Sequence, residues 1–252
     1  MLRVRKKLPD KVPDITRNRL EIIAVIGIVF GVATLDLNAA FHGGVQGQDF
    51  YQHRNLAAEA IKDPLNWILQ GRRRMDPPLY YLVSGAVMQL AGPKHWLVAI
   101  GIINVLQNLA ALVTLYLISR LLVRNGVLRI AAICLTAFLP AFAITSVVFS
   151  RDPPCQLPVL TMVHFGMLPI QRRAELRTAL IVCTLAAAFC IGCKFIALSL
   201  APAFAAALIL AVLSRHFSFR EGVIALVVFC GTTIPLQLFF CFKVLAVPSN
   251  RL

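Results

Sequence analysis

PPLYYLVSGAVMQLA, residues 77–91, is apolar enough to enter a membrane and too short to cross one. As a helix, Pro78–Ala91 rises only about 21 Å, against a hydrocarbon core of roughly 30 Å. Its paired Tyr80 and Tyr81 are the residue type that collects at membrane–water interfaces. Whether this stretch crosses sets the sidedness of everything after it.

Outward from it lie longer apolar runs: Ile22–Ala40, Trp96–Ile118, Leu128–Phe149, Gln156–Ile170, Thr178–Cys193, Phe195–Leu213 and Gly222–Phe242. A backbone in lipid must satisfy its own hydrogen bonds, so each run is expected to be a helix. The chain has 252 residues, of which 59% are hydrophobic and 14% charged, and its mean hydropathy is +0.78. A soluble domain carries about 25% charged residues. The expected fold is all-α: a polytopic bundle of about seven transmembrane helices. No internal repeat, low-complexity tract or linker divides it. A basic leader (1–20), a first outer loop with surface helices (41–95) and the remaining spans (96–252) form a single membrane domain.

The arginines choose between seven and eight spans. With Pro78–Ala91 on the surface, the leader and three loops share one side. Those loops carry Arg120, Arg124 and Arg129, then Arg172, Arg173 and Arg177, then Arg215 and Arg220. Cytoplasmic loops are enriched in Lys and Arg, so that side is the cytoplasm and the N-terminus lies in it. If Pro78–Ala91 crossed, these eight arginines would face outside. The first run follows a basic leader and lacks a small-residue cleavage site, so it is read as a retained span rather than a signal peptide. The net charge of +14 would suggest nucleic acid in a soluble protein. Basic clusters between apolar runs point instead to anionic lipid headgroups, and nucleic acid is not expected.

Seven cysteines lie mostly inside apolar runs. Cys190 and Cys193 come nearest to a CxxC pair, but no second pair or histidine cluster accompanies them, so small buried side chains are the simplest account. His42, His53 and His95 have no metal-ligand spacing and are assigned nothing. Within Thr178–Leu213, which is too long for one span, Gly192 and Lys194 mark an outer turn and Pro202 a kink.

Three segments meet outside: the loop 41–95, the turn Ser150–Pro154 and the turn at Lys194. Tyr51–Ile61 and Pro78–Ala91 are expected to lie along the surface as helices. Asp49 follows Gly43, Gly44 and Gly47 and precedes a helix pattern. Helix capping alone would account for it, and for Asp63, Asp76 and Asp152 ahead of their prolines. Asp36 sits near the end of the first span, where its side chain can reach the interface. Lys194 can snorkel to it, and Arg72–Arg74 can simply touch anionic lipid. The residues alone lead to an outward interfacial site of mixed acid and base, with no substrate attached.

The order of features resembles the GT-C superfamily of membrane glycosyltransferases, in its protein O-mannosyltransferase and aminoarabinose-transferase branches. Four segments carry the resemblance: QDFYQHRNLAAEAI (48–61) with Asp49, PPLYYL (77–82), FLPAFAITSVVFSRDPP (138–154) with Asp152, and CKFIALSLAPAFAAALIL (193–210) with Lys194. The match runs roughly from Ile22 to Leu213. It departs in Phe50, where the family often has a second acid, and in Asp76 before the two prolines. The family usually continues beyond seven spans, so the chain resembles an N-terminal seven-span module.

The resemblance implies transfer of a sugar from a polyprenyl-phosphate donor to an acceptor hydroxyl on the non-cytoplasmic side, most naturally of a bacterial inner membrane. Asp49 would take the acceptor's proton, and Asp152 would orient Asp49's partner, the acceptor or a divalent cation. Arg72, Arg73, Arg74, Arg151 and Lys194 would stabilise the departing phosphate, with Tyr80 and Tyr81 in the substrate-binding set. No cofactor is demanded; a divalent cation between two carboxylates would fit the chemistry, but no ligand spacing requires it. The competing readings are a polytopic transporter, disfavoured because the charges sit at helix ends and no repeat is evident, and a truncated, non-catalytic part of a transferase.

Overall fold

A computed structural model describes residues 14–42, 50–65, 67, 78–150, 153–171, 173–194, 204, 206, 209, 212–213 and 217–245. The elements are helices: α1 (Asp14–Phe41), α2 (Phe50–Lys62), α3 (Pro78–Leu122), α4 (Gly126–Ala137), α5 (Pro140–Val147), α6 (Pro153–Ile170), α7 (Leu176–Cys193) and α8 (Phe219–Leu245). Among the described residues, three helices are long and apolar enough to cross a membrane: Asn18–Phe41, Pro78–Leu122 and Leu176–Cys193. Large apolar side chains point away from the bundle, Phe30 at 73% and Leu90 at 88% exposed. Such a surface is unfavourable in water and ordinary in lipid.

The stretch at 78–91 does not run straight into the following span. Gly92 breaks the 45-residue α3 at φ 72°, ψ 171°, a conformation that a side chain disfavours, and Pro93 follows it. The two arms, 78–91 and 93–122, face each other across a pocket rather than forming one rod. The expected span 128–149 is also broken. Pro140 lacks an amide hydrogen and starts α5 at its first turn, after a non-helical Leu139 (φ −63°, ψ 126°). α7 ends where the turn is expected: Gly192 is still helical, against Leu79, the helix stops at Cys193, and Lys194 is extended (φ −155°, ψ 134°). Pro202 lies outside the described residues.

α1 and the carboxyl arm of α3 pack antiparallel, because each has one buried stripe at helical spacing. Val25 meets Tyr116, and Val32 meets Leu112. Nearer the other end Asp36 meets Asn108, and Ala40 sits against Gly101. At the first of these ends the side chain of Gln171 donates to Leu121 O, 3.0 Å away, and Arg129 pairs with Glu21. The bundle therefore has one end where Glu21, Arg120, Arg129 and Gln171 gather. The opposite end holds α2, the amino arm of α3, Trp96, Phe149 and the end of α7. α8 packs on α7, and its start is closed by a reciprocal cap: Ser218 N donates to Glu221 Oε2 at 2.8 Å, and Glu221 N donates to Ser218 Oγ at 3.2 Å.

Candidate functional site

The end of the bundle opposite Glu21 and Arg129 is built around rings. α2 buries one face: Phe50, His53, Leu56, Ala57 and Ala60. It lies so close to the amino arm of α3 that a Cβ on Gly85 would come within 2.4 Å of Ala57 O. That contact sets the rings of α2 against Tyr80 and Tyr81. Phe50 stacks on Trp96 at 6.0 Å between centroids and meets Phe149 edge-on at 5.9 Å. Tyr80 lies 5.6 Å from Phe149 and 5.2 Å from Tyr81. At the centre, Tyr81 Oη and His53 Nδ1 share a buried 2.9 Å hydrogen bond. If the phenol donates, Nδ1 is the acceptor and Nε2 carries the ring's proton.

Tyr80 and Tyr81 are 6% and 0% exposed, covered by α2 and the neighbouring rings. Lys194 caps α7 at this same end, and its amide donates to Cys190 O at 2.7 Å. Asp49, Arg72, Arg73, Arg74, Arg151 and Asp152 lie outside the described residues. Their described chain neighbours do meet: Phe50 follows Asp49, and Phe149 and Pro153 flank the segment containing Arg151 and Asp152.

Beneath Tyr80 a small pocket of about 40 Å³ opens between the arms of α3, with Ser84, Asn104, Gln107, Pro154 and Cys193 in its wall. Cys190 Sγ is 3.7 Å from Cys155 O, and Cys183 Sγ is 3.5 Å from Met162 O. Their thiols behave as small buried groups with weak carbonyl contacts. Among the described residues no three His, Cys, Asp or Glu side chains are grouped to hold a metal ion.

The sequence alone assigns His53 no role. The signal was present: it falls on the same helical stripe as Phe50, Leu56, Ala57 and Ala60, which marks it as a core residue. Asp36, near the end of the first span, is 5% exposed and accepts from Asn108 Nδ2 at 3.1 Å. A partner 72 positions away leaves no local signal. Neither protein-family models nor curated proteins give a match to this sequence.

Proposed function

We propose that the protein is a glycosyltransferase of the GT-C type, acting on a polyprenyl-phosphate sugar at the non-cytoplasmic face of a bacterial inner membrane. In this reading the chain has seven spans and its N-terminus is cytoplasmic. The observation that carries the proposal is the convergence at one end of the bundle. Segments far apart in sequence, next to Asp49, next to Asp152 and at Lys194, share that end with Tyr80 and Tyr81. Consecutive Cα atoms are about 3.8 Å apart, so Asp49 and Asp152, one and three residues from the packed rings of Phe50 and Phe149, have short tethers to a common point.

The chemistry follows from the residue types. Asp49 accepts the proton of the attacking hydroxyl as the bond from the anomeric carbon to the phosphate oxygen breaks. Negative charge beside an oxocarbenium-like centre stabilises it. Arg72, Arg73, Arg74, Arg151 and Lys194 receive the charge developing on the phosphate. Asp49→Asn tests the role, because an Asn caps a helix about as well as an Asp but takes no proton. The variant should insert and melt like the parent and lose roughly 10²–10⁴-fold in transfer from a polyprenyl-phosphate sugar. Near-normal turnover would reduce Asp49 to a cap.

A further inference from the structure

α6 and α7 pack antiparallel, and their cysteines fall at matching levels along the seam. Cys183 Sγ lies 3.5 Å from Met162 O; two turns further along, Cys190 Sγ lies 3.7 Å from Cys155 O. Ala187, 1% exposed, stands between these two levels on α7 and lets the helices approach closely. The Cys155 and Cys190 side chains are within hydrogen-bonding reach of each other. Cys193, one turn past Cys190 on the same face of α7, belongs to the ring cluster, and Cys155 packs against that cluster. Three of the seven cysteines therefore converge where the first turn of α6 meets the last turn of α7. The proposed transfer chemistry uses none of them.

They differ in access. Cys190 and Cys193 are each 1% exposed, whereas Cys155 is half-buried and can be reached by a reagent. They also differ in which bridges they can make. A disulfide needs Cβ atoms about 3.5–4.5 Å apart. Residues three apart on one helix have Cβ atoms about 5–6 Å apart, which disfavours Cys190 with Cys193. Opposed residues of two closely packed helices can meet the requirement. We propose that Cys155 and Cys190 are a dithiol pair that closes to a disulfide by exchange with a small-molecule or protein disulfide. The Cys155 thiolate attacks the reagent, one reagent thiol leaves, and a mixed disulfide forms on Cys155. Cys190 then attacks the Cys155 sulfur and expels the second thiol. The pair loses two electrons, the reagent disulfide is reduced to two thiols, and the cysteine protons go to those thiols. The bridge ties α6 to α7 beside the ring cluster. Disulfides persist in oxidising, non-cytoplasmic compartments. Use of the bridge in the cell therefore rests on the outward orientation proposed above; its closure does not.

The test equilibrates the full chain in detergent with reduced or oxidised glutathione, then quenches it in acid, unfolds it and alkylates it. The oxidised sample should carry two fewer alkylated thiols than the reduced one. Fragmentation of its peptides should show Cys155 joined to Cys190, with no glutathione retained. Cys193→Ser should still close, and Cys155→Ser should show no loss of thiols. Equal alkylation of the parent in both forms of glutathione would overturn the proposal. So would glutathione left on Cys155, or a bridge between other cysteines. All of these are read as masses of the chain, so a transferase reading that fails at Asp49→Asn leaves them unchanged.

Discussion

Glu21 and Arg129 meet across 108 positions of sequence. Arg129 Nε donates to Glu21 Oε1 at 2.6 Å, its Nη2 pairs with Oε2, and its Nη1 donates to Val123 O at 2.7 Å. The side chains are 4% and 12% exposed, so both charges are largely withdrawn from water. Removing one partner strands the other in a partly buried site, which destabilises by about 1–3 kcal/mol. Arg129→Met should therefore lower Tm well below the parent, and Glu21→Gln combined with Arg129→Met should recover much of the loss in a thermal double-mutant cycle. Additive losses would mean that the pair contributes no coupling. None of this was legible beforehand. The sequence marks Arg129 as one of a basic cluster and cannot show which carboxylate receives it. The same limit hid the Asp36–Asn108 and His53–Tyr81 pairs, because hydrogen bonds between separate helices leave no periodic trace.

At the scale of elements the sequence was more informative, because hydrophobic period and chain punctuation are local. The pattern over 51–61 forms a helix, Phe50–Lys62, and the apolar run after the leader is helical through Phe41. Gly92 and Pro93 separate 78–91 from the span that follows, and Pro140 divides 128–149, which looked continuous because every residue in it except Arg129 is uncharged. A proline's effect there depends on whether neighbours satisfy the freed carbonyl, and composition does not report that. The α2–α3 contact gives a sharp expectation. In Gly85→Val a Cβ would approach Ala57 O to 2.4 Å and the Ile61 Cβ to 2.9 Å. Backbone cannot yield as a side-chain tip does, so α2 must move off the amino arm. Hydrogen exchange over 50–62 should accelerate in this variant while exchange in α7 stays as in the parent. Unchanged protection in α2 would contradict the tight packing.

For the whole molecule, the all-helical class and the membrane surface were readable from composition, and among the described residues three helices are able to span. The ring cluster was not, since it joins residues from 50 to 193. Two ends of opposite character organise the bundle, and the proposed chemistry requires the ring-lined end to face away from the cytoplasm. Lys62 at that end and Arg124 at the basic end are both exposed. A membrane-impermeant maleimide applied to intact cells should label Lys62→Cys and spare Arg124→Cys until the cells are opened, each measured against the parent with its own cysteines. Labelling of Arg124→Cys in intact cells, with Lys62→Cys protected, would place the ring-lined end in the cytoplasm and contradict the account.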